Sequence, residues 1–338
     1  MTKPIHSTAA STAKAAGLIL LAACALCGVL LASCAKADQG EQPSQPAEQA
    51  SEPVGEVTFT DDAGNTVTVS DPQRVVACMG SFADAWTLAG GTLVGASDDA
   101  FADYGVSEDG VQRVGDFSAP SLESIIACEP DFVIMTSASS GKPGSGSQLD
   151  LKEGLDAAGV PVAYFEVVTF DDYLHMLRTF CDITGRDDLY HDNGEVPAAA
   201  IEQVKSEMSV ADKAPSVALL MTYSQGVRVQ SSSTMVGSML ADLGARNVAD
   251  EHRSLLKDFS VESLIETDPD YVFVVPMGND SEASLRALKE ATEANPAWAQ
   301  LSAVQNGRYT VLDDPMFTYK PNERWGEAYR LLGEALQK

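Results

Sequence analysis

The sequence predicts an α/β protein of two lobes, each built on a central, mainly parallel sheet flanked by helices, with one long helix joining them. Three observations carry this expectation. One helix–turn–strand unit occurs twice, 139 positions apart. Short apolar runs alternate with helical patterns around both copies. A single helical stretch, entered through Pro197, lies between the two halves.

The repeat reads SLESIIACEPDFVIM at Ser121–Met135 and SVESLIETDPDYVFV at Ser260–Val274, identical at seven of fifteen positions. In each copy Ser supplies an N-cap, Glu falls in the first turn, and apolar residues recur at helical spacing. Pro then stops the helix, and an apolar run such as Phe132–Met135 forms a buried strand.

The other elements follow in order. Val57–Val69 alternates around a Gly-Asn turn and predicts a hairpin. Strands are expected at 74–78 and 161–165 around the first copy, and at 216–221 and 308–312 around the second. Helices are expected at 81–89, 149–158, 171–184, 234–243, 284–294 and 322–336. Between the halves, Ala198, Ala199, Ala200, Ile201, Val204 and Met208 form a helical stripe. The expected boundaries are an N-terminal lobe at 57–187, a connecting helix at 188–213 and a C-terminal lobe at 214–338. Two α/β lobes enclose a cleft, and ligands meet the loops at the C-terminal ends of the strands.

Residues 1–56 read as an address and a tether. Lys3 and Lys14 precede the apolar run Ala15–Leu31, and no acid occurs before Asp38. This is the order of a secretory signal. At 17 residues the run sits at the lower limit for a membrane span. Leu31-Ala32-Ser33-Cys34 resembles the bacterial lipobox, in which the cysteine is lipidated and becomes the new N-terminus. The expectation is a signal peptide at 1–33, lipidation at Cys34, and a flexible linker rich in Gln, Glu, Pro and Ser at 34–56. The protein is then extracytoplasmic and anchored to the cell membrane, with no transmembrane helix after processing.

Composition excludes several classes. Lys+Arg number 22 against 49 Asp+Glu, a net charge of -27, so nucleic acid is not a partner. Apolar residues at 45% and charged residues at 21% describe a folded body. No GxSxG, GxGxxG or Walker pattern supports an enzyme. The histidines are scattered, so a bare zinc or manganese site is not expected. Cys24 and Cys27 fall in the signal segment. Cys78, Cys128 and Cys181 are odd in number, which argues for buried thiols and not a disulfide scaffold.

Four segments together resemble the helix-linked class of periplasmic substrate-binding proteins, which serve ABC importers for ferric siderophores, heme and cobalamin. They are DPQRVVACMGSFADAWTLAG (71–90), VGDFSAPSLESIIACEPDFVI (114–134), FSVESLIETDPDYVFV (259–274) and KPNERWGEAYRLLGEAL (320–336). The resemblance implies a monomeric binding protein, not an enzyme, that captures a small-molecule metal chelate and delivers it to the importer's membrane subunits. It holds no permanent cofactor. The ligand expected is an iron chelate, either a ferric siderophore or heme, with cobalamin as the alternative. An enzyme, an adhesin or a sensor on the same body are the readings from other classes.

The resemblance also assigns residues. Glu123 and Glu262 match the glutamates, one per lobe, that pair with arginines on the membrane subunits. The alternative for both is a favourable place at a helix N-terminus. Ligand contacts are expected from Met79, Ser81, Phe117, Ser137 and Glu166 on the first lobe. On the second they are expected from Tyr223, Arg228, Ser232, Met277, Phe317, Tyr319 and Arg324. Tyr104 and Trp325 are further lining candidates, and Lys320 joins Arg228 and Arg324 as a partner for ligand carboxylates. The Gly/Ser-rich stretch 137–147 reads as a rim. Met277 falls where heme-binding relatives carry an iron-ligating histidine, so it is a metal ligand only if the ligand is heme. Phe117 suits stacking on a corrin. Taken singly, Met277 and Phe117 fit apolar cleft lining equally well.

Overall fold

The computed structural model describes residues 55–138, 147–208, 214–257, 259–278, 280–293, 295–312 and 315–338. The expected signal peptide, Cys34, the linker up to residue 54 and residues 139–146 of the rim lie outside them.

Strands β1 (Val57–Thr60) and β2 (Thr66–Val69) form the antiparallel hairpin. Its turn is closed by a buried carboxylate: Asp61 Oδ1 accepts from the N–H groups of Ala63 and Asn65, at 3.1 and 2.7 Å. The first lobe's sheet contains β3 (Val75–Ala77), β4 (Leu93–Ala96), β5 (Gln112–Arg113), β6 (Phe132–Thr136) and β7 (Val162–Phe165). All are parallel, in the order β5-β4-β3-β6-β7. Asp61 Oδ2 accepts from the Tyr164 N–H and so ties the hairpin to β7. One sheet face packs on helices Gly80–Leu88 and Phe170–Thr184, where Trp86 and Phe165 each meet Phe180 edge-on at 5.4 and 5.2 Å. The other face buries Val76, Val133, Met135 and Tyr164 with Ile125 and Leu155. Burial on both faces is why these strands read as continuous apolar runs and not as alternation.

The second sheet contains β8 (Ser216–Tyr223), β9 (Gly226–Gln230), β10 (Arg246–Asn247), β11 (Tyr271–Pro276) and β12 (Tyr309–Val311). Its parallel order is β10-β8-β11-β12, and β9 returns antiparallel on β8. Helices Met235–Asp242 and Trp325–Ala335 cover one face. Helix Ser281–Glu293 covers the other through Leu288.

The connecting helix expected at 188–213 runs unbroken over 187–208, as Asp187–Tyr190, a π-helical turn at His191–Glu195 and Val196–Met208, and residues 209–213 lie outside the described ones. The last piece packs closely on Trp325–Ala335 because two glycines leave room for it. A Cβ on Gly326 would stand 2.9 Å from Ala200 Cβ, and one on Gly333 2.8 Å from Val204 Cγ1.

The repeat persists down to backbone detail. Ser121 and Ser260 are N-caps, accepting from the N–H groups of Ser124 and Ser263. Glu129 and Asp268, each before a proline and at the end of its helix, adopt left-handed φ of 48° and 36°, the backbone that commonly closes a helix C-terminus. Asp131 then accepts from the N–H groups of Gln73 and Arg74, and Asp270 from that of Ser216. Each Pro-Asp thus anchors the entrance to the neighbouring strand, β3 or β8. Cys78, Cys128 and Cys181 are buried free thiols.

Candidate functional site

Loops from the C-terminal ends of both sheets meet at a joint between the lobes. On the first lobe these ends are held together by Gln148, which is buried. Its Nε2 donates to the carbonyls of Cys78 (2.8 Å) and Phe117 (2.6 Å), and its Oε1 accepts from the Thr136 N–H (2.9 Å). One side chain therefore fixes the loops that follow β3, β5 and β6. Asp99 adds a second brace: its Oδ2 accepts from the Gly80 N–H at 2.8 Å, at the start of the helix after β3.

The second lobe reaches this floor through the segment after β12. Tyr104 OH accepts from the Lys320 N–H at 3.1 Å and donates to the Lys320 carbonyl at 3.2 Å. Asn322, at a left-handed φ of 45° and buried, donates through Nδ2 to the Ser81 carbonyl (2.9 Å) and to Asp84 Oδ2 (2.7 Å). The rings of Tyr104 and Tyr319 lie 6.2 Å apart.

Desolvation governs the electrostatics of the joint. Burial raises the carboxyl pKa of Asp84, opposed by the Asn322 amide, and raises those of Asp99 and Glu323. Burial and the neighbouring Asp103 push the Tyr319 hydroxyl up to about 12. Lys320 is half-buried; its pKa is lowered by burial, against the opposing fields of Glu166 and Asp172. It forms no ion pair among the described residues. An ammonium taken out of water without a partner is costly, and an anion beside it offsets that cost.

Of the residues expected to contact ligand, several stand at or just after the ends of strands. Met79 is half-buried and its carbonyl accepts from Phe82 and Ala83. Phe117 and Ser137 flank Gln148, and Ser137 donates its N–H to the Phe165 carbonyl. Glu166 is exposed, with its N–H on Asp62 Oδ2. Met277 is half-buried against the core, its N–H on the Thr222 carbonyl. Tyr223 ends β8, and Ser232 is held by Asp250 Oδ1 through its N–H.

Others stand elsewhere. Phe317 is 2% exposed and belongs to the core, as does Trp325. Ser81 is 1% exposed and faces the lobe joint, because Asn322 closes over it. The guanidinium of Arg324 is paired with Glu327 at 3.0 Å. Arg228 is exposed and leans over the Tyr223 ring at 5.6 Å. Gln148, Asp99, Asp84 and Asn322 were not expected. Each is an isolated polar residue whose partners are remote in sequence, so no local signal marks it.

Glu123 and Glu262 occupy equivalent exposed positions in the first turns of their helices. Glu262 is the more restrained. It accepts from Ser260 Oγ at 2.9 Å and from Asn295 Nδ2 at 2.6 Å. Its own N–H together with these two groups holds its carboxyl below the usual range.

Comparison with known proteins gives three results. The sequence profile of the family described as periplasmic binding protein matches residues 75–316. The chain is 26% identical over 263 residues to the Fe(3+)-citrate-binding protein YfmC of Bacillus subtilis, spanning 76% of this chain and 78% of that one. It is 25% identical over 265 residues to the Fe(3+) dicitrate-binding periplasmic protein FecB of Escherichia coli, spanning 76% and 82%. Among solved structures, Staphylococcus aureus SirA complexed with staphyloferrin B superposes with a TM-score of 0.65 at 18% identity, covering 83% of this chain and 98% of that one. Among the described residues, no helix is long and apolar enough to cross a membrane.

Proposed function

We propose, from the premise that this chain belongs to the periplasmic binding protein family, that it captures a carboxylate-bearing iron chelate between its lobes and delivers it to an ABC importer. Members of this family bind solutes and do not transform them, so the cleft is a capture site. The observation that carries the ligand class is Lys320, an unpaired, partly desolvated cation at the lobe joint. A ligand carboxylate supplies the missing counter-charge. The ferric citrate ligands named for the two relatives agree with that chemistry.

In this reading, residues 57–187 and 214–338 act as two lobes hinged at the helical run between them. Met79, Phe117, Ser137, Glu166, Tyr223, Met277 and Tyr319 surround the chelate, which brings its own iron ligands. Glu123 and Glu262 present one carboxylate per lobe to the importer. Cys34 carries the lipid, residues 35–56 act as the tether, and the receptor works as a monomer.

The test is titration of the full processed chain with ferric citrate, a ferric catecholate siderophore and hemin, read by tryptophan fluorescence and absorbance. Saturable quenching by ferric citrate is expected. A Soret shift with hemin, and no response to ferric citrate, would overturn the reading.

A further inference from the structure

The described basic side chains are mostly matched by carboxylates, as in Arg113 with Asp98 and Glu108, or Arg178 with Asp182 and Asp187. Three that are not matched stand together on the second lobe. Arg228 lies on β9; Arg253 and Lys257 lie on and just after the 3-10 turn Arg253–Leu256. All three are exposed, and none has an ion-pair partner among the described residues. Arg228 and Lys257 wall an open groove of about 380 Å³ whose apolar lining includes Val229, Leu255, Leu256 and Phe259.

Three acids near it in the sequence, among the described residues, are already engaged. Glu251 pairs with Arg246 at 2.7 Å, Asp250 accepts from the Ser232 N–H, and Glu262 holds Ser260 and Asn295. The groove lies close to the cleft-facing end of the sheet. Arg228 is registered with Met221 of β8, and its guanidinium leans over Tyr223, the last residue of that strand.

A chain of net charge -27 repels an anionic chelate on average. At physiological salt, however, charges more than about 8 Å away are largely screened, so the nearest ones decide the local field. Unpaired cations lining a groove concentrate an anion there and raise its association rate. We propose that this groove is an encounter site that gathers the incoming iron chelate by its carboxylates before the chelate enters the cleft. The proposal rests on the reading of the cleft as a receptor for a carboxylate-bearing chelate.

The experiment is stopped-flow association of ferric citrate with the full processed chain. The double substitution R228Q/K257Q is compared with the remote control K152Q, which removes a cation already paired with Asp156. At physiological ionic strength, R228Q/K257Q lowers kon roughly tenfold relative to wild type and leaves koff within about twofold; K152Q leaves both unchanged. An unchanged kon in the double variant, beside normal wild-type binding, overturns the encounter site alone. A loss carried mainly by koff also overturns it, because the groove would then be part of the bound site. Absence of wild-type binding overturns both the encounter site and the reading of the cleft.

Discussion

The Tyr104 hydroxyl satisfies both backbone groups of Lys320, accepting from its N–H at 3.1 Å and donating to its carbonyl at 3.2 Å. The first lobe thereby holds the backbone of Lys320, whose ammonium is partly desolvated. Tyr104→Phe keeps the ring and strands two partly buried backbone groups, a loss of about 2 kcal/mol. The melting temperature should fall by a few degrees, and amide exchange at residues 319–322 should accelerate. Unchanged exchange there would show that the contact does not hold the joint.

Lys320→Met retains the length of the side chain and removes its charge. The unliganded protein should melt at a higher temperature, because a desolvated, unpaired ammonium has been replaced by an apolar group. Ferric citrate affinity should drop at least tenfold, about 1.4 kcal/mol. Calorimetric titration separates the two effects, and an undiminished affinity would remove Lys320 from ligand recognition.

The raised carboxyls define a pH dependence. The folded-state pKa values of Asp84 and Asp99 lie above 3.8 and that of Glu323 above 4.5. Their stabilising contribution is complete below those unfolded values and is lost as pH rises through the folded ones. Stability should therefore increase as pH falls from neutrality through the raised folded-state values. Glu262, whose pKa is lowered, acts in the opposite sense at lower pH, its contribution disappearing as it is protonated. Asp99→Asn can still accept from Gly80 and should flatten the increase. Acid also relieves general charge repulsion, so the difference between wild type and variant is the quantity to measure. Parallel melting curves at every pH would refute the assignment.

Gly237 sits where helix Met235–Asp242 crosses the loop before it, and a Cβ there would meet the Ser231 carbonyl oxygen at 2.2 Å and Ser232 Cα at 2.9 Å. Backbone cannot yield as a flexible side chain can, so Gly237→Ala should cost about 3 kcal/mol by denaturant unfolding. Gly244, at φ +84° with open space around it, provides the contrast. Gly244→Asn should cost under about 1 kcal/mol, since Asn tolerates the left-handed region.

The two repeated glutamates differ in restraint, and that makes docking separable from capping. Glu123→Ala and Glu262→Ala should leave chelate affinity unaltered while uptake into cells falls, roughly tenfold for the pair. Glu262→Gln keeps an oxygen for Ser260 and Asn295 yet removes the charge. It should impair uptake as much as alanine does. Full uptake with Glu262→Gln would leave this residue a local structural role only.

Much of the frame was legible beforehand. The duplicated Ser-x-Glu-Ser and Pro-Asp positions are N-caps and strand anchors in both sheets, and the buried strands β6, β7 and β11 and the mostly buried β8 stand where apolar runs occur. Strands β4, β5 and β10 were not legible. β5 and β10 have two residues each, and β4 is interrupted by Gly95, so neither length nor alternation distinguishes them from loops. Phe317 and Ser81 lie in helices that follow strand ends, and their burial was not legible either.

The sequence by itself determined the local chemistry: where helices begin, where prolines end them, which strands are covered on both faces, and that the chain carries far more acid than base. These follow from interactions within a few residues and from composition. The tertiary structure alone decided that Gln148 joins carbonyls 31 and 70 residues away, that Tyr104 reaches Lys320 across 216, and which of the described cations find a carboxylate. Hydrogen bonding and charge pairing act over a few ångströms of space, and folding sets those distances independently of separation along the chain.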